Sequence, residues 1–277
     1  MARASKATVI LSGYGRTGRR VIHRLLARRV PVRLASRTSP VAFDWENERT
    51  WERAVVGARA LYIAYHQDLS AGEAARRIEG VCALAARAGV ERVVLLSERG
   101  EPRVQPAERA VRRSGLDFTI LRCALFSQNF SEGMLAPVDG IVFTPVGEVR
   151  EPFVDCDDLA AVAVAALTVQ GHSGQTYELT GPQTLSFVEA VDAIRRAAGG
   201  SVECVQLPFE RYREWLQASA SSPGAVLCAE RFAQRLGSRS KGHAARPTAD
   251  VERVLGRPAK GFEAFVHDPA RVWKARL

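Results

Sequence analysis

The sequence predicts an α/β protein: a doubly wound parallel sheet with helices on both faces, followed by a smaller C-terminal α/β lobe. Three observations predict it. Short strand-like runs alternate with amphipathic helical runs from the N-terminus to about residue 180. The strand runs are apolar along their whole length, as strands covered on both faces are. A chain of 277 residues is long enough for one large domain with a smaller one attached. The expected division is 1–180 for the first domain, with an excursion over about 126–152 toward the second lobe, and 181–277 for the smaller lobe.

The elements follow in order. ATVIL (7–11) is a short β-branched strand. Glycines follow it, and then GRRVIHRLLARR, whose Val21, Ile22, Leu25 and Leu26 make one helical face. PVRLAS (31–36) is a second strand and VAFDW (41–45) a short third; WERAVVGA reads as a short helix and RALYIAY (59–65) as a fourth strand. Residues 71–88 place Ile78, Val81, Cys82 and Ala85 on one helical face and stop at Gly89. ERVVLLS (91–97) is the fifth strand, 105–114 a helix closed by Gly115, and DFTILRC (117–123) the sixth strand. PVDGIVFTPVG suggests a hairpin. The alternation resumes at DCDDLAAVAVAALTV, where Asp155 or Asp157 can cap a helix that buries Leu159, Val162, Ala163 and Ala166. YELTG (177–181) is a late strand. SFVEAVDAIRRAAGG opens with a capping box, Ser186 and Glu189, and buries Phe187, Ala190, Val191 and Ile194 before Gly199. VECVQL is a short strand in the last third. There Phe209, Tyr212, Trp215 and Phe232 are candidates for pocket or core.

Composition narrows the function classes. The formal charge is +9, carried by 35 Arg and only 4 Lys. From Arg231 onward there are 11 basic and 4 acidic residues, against 28 and 26 before it, so the excess is local to the tail. Those cations are spread mostly among Ala, Gly and Pro, which disfavours nucleic acid as a partner. Five widely spaced cysteines (82, 123, 156, 204, 228) without a C-x-x-C pair indicate reduced thiols, a cytoplasmic location and no metal site. The apolar stretch near the N-terminus is too short for a signal segment or a membrane span. The expected partner is a small-molecule substrate. Oligomeric state stays open, with a homodimer among the options.

SGYGRTGRR sets Gly13, Gly15 and Gly18 in G-x-G-x-x-G spacing between a strand and a helix. Gly13 permits a tight turn, Gly15 lets backbone approach a pyrophosphate and Gly18 allows close helix-on-strand packing. This is the fingerprint of a Rossmann-type dinucleotide domain, with Tyr14, Arg16 and Thr17 inside the loop and Arg19 just after it. An NAD site usually carries an acid about 20 residues on. LASRTS stands there instead, and Arg37 suits a 2′-phosphate, with Ser36 and Thr38 adding hydroxyls. The expected cofactor is therefore NADP(H). Ligands of such sheets sit at the carboxyl ends of the strands, which marks 12–18, 36–38, 65–68, 97–103 and 123–129.

The succession LSGYGRTGRRV, LSERG, AERAVRRSGLDFTILRCALFSQNF, EPFVDCDDLAAVAVAAL and YELTGPQTLSF resembles the NmrA-like group of atypical short-chain dehydrogenases/reductases over roughly residues 7–190. The resemblance implies a Rossmann domain for NADP(H) or NAD(H) closed by a smaller lobe. Its members include reductases of quinones, phenylpropanoids and dyes, and regulators that bind dinucleotide without turning it over. Many relatives carry G-x-x-G-x-x-G, whose first glycine falls here on Ser12.

The wider superfamily uses a tyrosine as proton donor with a lysine four residues later, and EPRVQPAERAV contains neither. Ser97 matches the family's strand-end hydroxyl. Substitute candidates are Tyr65 and His66 in YHQD, beside Asp68, and the polar Ser127, Gln128 and Asn129 of FSQNF; Tyr14 and Tyr65 fall on loops expected to line the cofactor. Cys123 reads as the end of a buried strand. Without a strong donor, hydride is best delivered to an acceptor that delocalises charge, such as a quinone, an aryl enone or a cationic dye. The sequence thus points to an NADPH-dependent reductase of conjugated or aromatic carbonyl compounds. A redox-sensing regulator acting through a protein partner and a non-redox tailoring protein are the alternatives.

Overall fold

The structure, a computed structural model, describes residues 6–11, 13–65, 68–144, 149–200, 202–219, 226, 229–230, 232–233 and 245–268. Its elements in chain order are β1 (Ala7–Leu11), α1 (Arg16–Ala27), β2 (Val32–Ser36), β3 (Val41–Ala42), α2 (Trp51–Val55), β4 (Ala58–Ile63), α3 (Gly72–Arg87), β5 (Arg92–Glu98), α4 (Gln105–Arg112) and β6 (Asp117–Cys123). There follow α5 (Asn129–Glu132), β7 (Ile141–Thr144), β8 (Arg150–Glu151), α6 (Cys156–Thr168), β9 (Gln175–Leu179), β10 (Leu185–Ser186), α7 (Phe187–Ala197), β11 (Glu203–Gln206), α8 (Phe209–Ala218), α9 (Asp250–Leu255) and α10 (Phe262–Val266). They form two compact units: Met1–Cys123 with Cys156–Leu179 and Asp250–Arg257, and Ala124–Asp155 with Thr180–Ala249 and Pro258–Leu277.

The first unit holds a seven-stranded sheet in the order β3-β2-β1-β4-β5-β6-β9, and every pairing is parallel. Strand order reverses between β1 and β4, so their carboxyl ends flank the natural ligand crevice. Val9, Leu11, Leu61, Ile63, Val93 and Leu95 join one apolar cluster with Ile78 and Val81 of α3 and Val111 of α4. Ile10, Tyr62 and Val94, alternating with them, are also fully buried. Both faces are therefore covered, which is why these strands read as continuous apolar runs. Helix α1 packs against α6, and α3 against α2 and α4.

One detail of α1 departs from the sequence reading. The residues buried are Thr17, Gly18, Val21 and Leu25, while Leu26 is 58% exposed. The buried stripe runs through Gly18 because that residue can approach the strand most closely, and the helix is turned accordingly. At the base of the sheet Arg92 donates to the carbonyls of Ala166 (3.1 Å) and Val169 (2.8 Å), placing a cation where α6 exposes its last carbonyls. α9 also belongs to this unit: its Asp250 carboxylate accepts from the Glu178 amide at 2.7 Å. Residues 250–257, read from sequence as part of the 181–277 lobe, therefore group with the sheet.

The second unit is built on a parallel pair, β7 with β11, and an antiparallel pair, β8 with β10. The expected hairpin is only a tight turn: Val138 and Ile141 bridge across Asp139 and Gly140, whose φ values are 49° and 78°. The outgoing strand then pairs in parallel with β11, an arrangement that requires the long crossover carrying α7. Phe130, Phe153, Phe187 and Phe262 interlock edge to face, with centroids 5.2 Å apart for the Phe130–Phe153 pair. Tyr212 and Phe232 are core residues here, and Phe209 and Trp215 pack against that core. The capping box at Ser186 and Glu189 forms as expected.

His172 offers a test of the packing in the first unit. Its Nδ1 lies 2.8 Å from the Tyr177 hydroxyl; burial, aided by the Arg92 charge, holds its pKa below the usual 6.5. The unfolded chain then binds a proton that the fold refuses, so stability is full above about pH 6.5 and falls as pH drops toward the folded value. Urea denaturation across pH 5–8 is expected to show this loss, and His172→Gln to flatten it. An unchanged pH dependence in the variant would remove His172 as its source.

Candidate functional site

The site starts where β1 ends. Gly18 sits against Gly13: a Cβ on Gly18 would lie 2.6 to 2.8 Å from the Gly13 Cα, carbonyl oxygen and carbonyl carbon. A Cβ on Gly13 would meet Leu34 at 2.6 Å, Ile10 at 2.9 Å and Ile22 at 3.0 Å. Gly18 therefore serves as the sequence implied. Gly13 has no left-handed φ, so it is required by lack of space and not by the conformation of a turn.

Gly15 is the N-cap of α1. It supplies no side-chain cap, and the first turn contains no acid. That leaves the helix N-terminus, with its partial positive charge, open to an anion. Thr17 is buried beside Tyr62. Its side chain packs inward, so only its backbone is turned to this task. Burial raises the Tyr62 phenol far above the tyrosine range.

Beside the helix start lies a cavity of about 260 Å³ lined by Tyr14, Gly15, Ser36, Arg37, Thr38, Phe43, Asp44 and Trp45. It brings together the loop and the end of β2 that the sequence singled out separately. The Arg37 side chain is exposed and, among the described residues, has no ion-pair partner. The turn beneath it is pinned by Ser39, whose Oγ accepts from the Ser36 amide (2.8 Å) and donates to the Val41 carbonyl (2.7 Å). Ser36 Oγ accepts from the Thr38 amide at 3.3 Å.

Phe43, Asp44 and Trp45 line the cavity but are not assigned to a site from the sequence, where VAFDW (41–45) reads as a short strand; the strand covers only Val41–Ala42 and these three follow it. Trp45 is held edge-on by Phe43 (4.8 Å) and Tyr65 (4.9 Å). The Trp51 indole donates to the Asp44 carbonyl at 2.7 Å. The cavity thus has a rigid aromatic wall.

The candidates for acid chemistry are placed differently. Tyr65 stands behind Trp45, and its hydroxyl accepts from Arg77 at 3.1 Å. Burial, partly offset by Arg77, raises its pKa, and its ring packs edge-on against Trp45. Asp68 accepts from the amide and hydroxyl of Ser70 ahead of α3. Ser12 and His66 lie outside the described residues.

Ser97 is the penultimate residue of β5 and is 3% exposed. Its hydroxyl donates to Glu108 Oε1 at 2.7 Å, and Arg122 grips the same carboxylate in bidentate fashion at 2.9 and 2.6 Å. Arg99 Nε joins Glu178 at 2.8 Å, and Arg122 lies 3.8 Å from the other Glu178 oxygen. A charged network therefore spans β5, α4, β6 and β9, on the helix where the superfamily keeps its tyrosine and lysine. A serine with one proton, held by a carboxylate, donates nothing further.

In the second unit Ser127, Gln128 and Asn129 are all buried. The Gln128 side-chain amide donates to Asp155 at 2.9 Å and the Asn129 backbone amide to the Phe126 carbonyl. Burial raises the Cys123 thiol well above its usual value, in keeping with the end of a buried strand. Asp157 lies 3.5 Å from both Arg20 and Arg24, and Asp158 pairs with Arg257 at 2.6 Å. Among the described residues no group of three or more His, Cys, Asp or Glu is placed to hold a metal, and no helix is long and apolar enough to cross a membrane.

A parallel sheet with a glycine-cradled helix start at its switch point defines a dinucleotide-binding Rossmann domain. Residues 13–170 match the family model described as NAD(P)H-binding, and the chain belongs to that family. The (4-alkanoyl-5-oxo-2,5-dihydrofuran-3-yl)methyl phosphate reductase of Streptomyces griseus is 31% identical over 266 residues, 90% of each chain. An NADPH-dependent quinone oxidoreductase of Escherichia coli, solved with NADPH, matches with a TM-score of 0.76 at 20% identity over 94% of this chain and 98% of that one. A mutant NmrA matches with a TM-score of 0.68 at 18% identity over 96% of each. The fold is thus that of the NmrA-like atypical short-chain dehydrogenases/reductases, and the cofactor is NAD(P)H.

Gly18→Ala is expected to destabilise the protein by about 1–3 kcal/mol through overpacking against Gly13. It should also weaken NADPH binding at least tenfold, read by thermal melting and by NADPH fluorescence titration. Wild-type affinity in this variant would mean that the glycine contact does not form the binding loop.

Proposed function

We propose that the protein is an NADPH-dependent reductase that passes hydride to a conjugated or aromatic carbonyl acceptor of the quinone or enone type. The observation that carries this reading is Arg37, exposed and without an ion-pair partner among the described residues, at a cavity that is also lined by Gly15, the cap of an open helix N-terminus. The residues fit the group. The Gly13–Gly18 cradle admits backbone close to a pyrophosphate, and the α1 amides with Gly15 would hold it. Arg37, Ser36 and Thr38 would take a 2′-phosphate, and the Trp45 wall the adenosine.

The bound cofactor supplies hydride. Around it the chain's residues bind and orient, and Ser97 holds its proton against Glu108. An isolated ketone would become an alkoxide needing immediate protonation, whereas a quinone or enone spreads the incoming charge over its π system and can take a proton from water. The relatives agree in kind. The Streptomyces enzyme is named for a ring that is both alkanoyl-substituted and oxidised at the neighbouring carbon, and the Escherichia coli protein is named for quinones.

Titration with NADPH and NADH is expected to favour NADPH, and Arg37→Ala to remove about 1–3 kcal/mol of that preference, the range for a charge-assisted contact. Equal affinities in the unaltered protein would overturn the Arg37 assignment. With NADPH bound, quinones and aryl enones should be reduced and simple ketones left largely untouched. NADPH bound without oxidation by any acceptor would instead favour a dinucleotide-sensing regulator.

A further inference from the structure

We propose that Ser97 serves as a hydrogen-bond acceptor toward the nicotinamide half of the cofactor, with Glu108 and Arg122 as the positioning residues that hold it in that role. The inference rests on the NADPH reading and specifies how a strand-end residue expected to lie at the cofactor takes part in holding it. Serine has one proton and two lone pairs. Here the proton is committed: Oγ to Glu108 Oε1 is 2.7 Å, inside a carboxylate that is 2% exposed. Arg122 donates to both carboxylate oxygens, to within 2.6 Å at one of them, so both oxygens are engaged as acceptors. The direction of the Ser97 bond follows, and its lone pairs are what remains.

Placement in the sheet gives those lone pairs an addressee. The adenosine cavity lies on the β2 side of β1. A dinucleotide crossing the carboxyl ends of the strands at the switch point therefore runs the other way, over β4 and toward β5. Ser97 stands near the carboxyl end of β5. The nicotinamide half offers donors of the kind a serine lone pair accepts: the carboxamide N–H groups and the ribose hydroxyls. The same network anchors the loop that follows, since Arg99 of that loop is tied to Glu178 and its amide donates to the Cys123 carbonyl at 3.0 Å.

The test compares NADPH with adenosine 2′,5′-bisphosphate, which keeps the cavity-binding half and lacks the nicotinamide half. Ser97→Ala and Glu108→Gln are each expected to weaken NADPH binding about three- to tenfold, the effect of one hydrogen bond, while bisphosphate affinity stays within about twofold. The double variant should bind NADPH no more weakly than the worse single variant. Bisphosphate binding also shows that each variant is folded, and a general loss of structure would weaken both ligands together. Equal losses for the two ligands, or no loss for NADPH, would overturn the proposal. Failure of the unaltered protein to bind NADPH at all would overturn the cofactor reading beneath it, so the two failures are distinct.

Discussion

The first unit depends on one close approach, the helix α1 backbone at Gly18 against the Gly13 backbone. Any side chain at either position must displace backbone or packed aliphatic groups. Because the contact is made, α1 turns its Thr17, Gly18, Val21 and Leu25 face to the sheet and leaves its uncapped N-terminus at the carboxyl end of β1. An anion site there would be a by-product of helix packing, its charge coming from peptide dipoles held in place by the core.

A second constraint works on the other side of the switch point. Glu108 is buried, and a lone carboxylate there would be costly; Arg122 and Ser97 satisfy it. The helix that in the wider superfamily carries a proton donor is here tied to the sheet by an ion network. Under the proposed function, chemistry at this end relies on placement of the two reactants rather than on an acid from α4.

Much of this was legible in the residues. Apolar strands, glycine spacing and the capping box act over a few neighbours, so the sheet, the α1 loop and the start of α7 could be read directly. The place of Arg37 just past the end of β2 was legible as well, because it follows from the strand boundary alone. Contacts made by folding were less so. Glu108 looks like a surface residue of an arginine-rich helix until Ser97 and Arg122, 11 residues before and 14 after it, are brought against it. Trp45 and Tyr65 meet only when β3 and β4 are placed in one sheet. The β7–β11 pairing joins residues more than fifty apart and contradicts the local turn signal at Asp139–Gly140, which is real but serves a different partner. Leu26 was misplaced because helical periodicity alone gives the stripe and not its rotation, which Gly18 decides.

The most direct test of the account is a crystal structure of the protein with NADPH. The expected result is a dinucleotide whose pyrophosphate meets the α1 N-terminus at Gly15, whose 2′-phosphate meets Arg37, and whose nicotinamide end reaches the carboxyl ends of β4 and β5. A cofactor bound elsewhere on the sheet, or one whose 2′-phosphate makes no contact with Arg37, would contradict it.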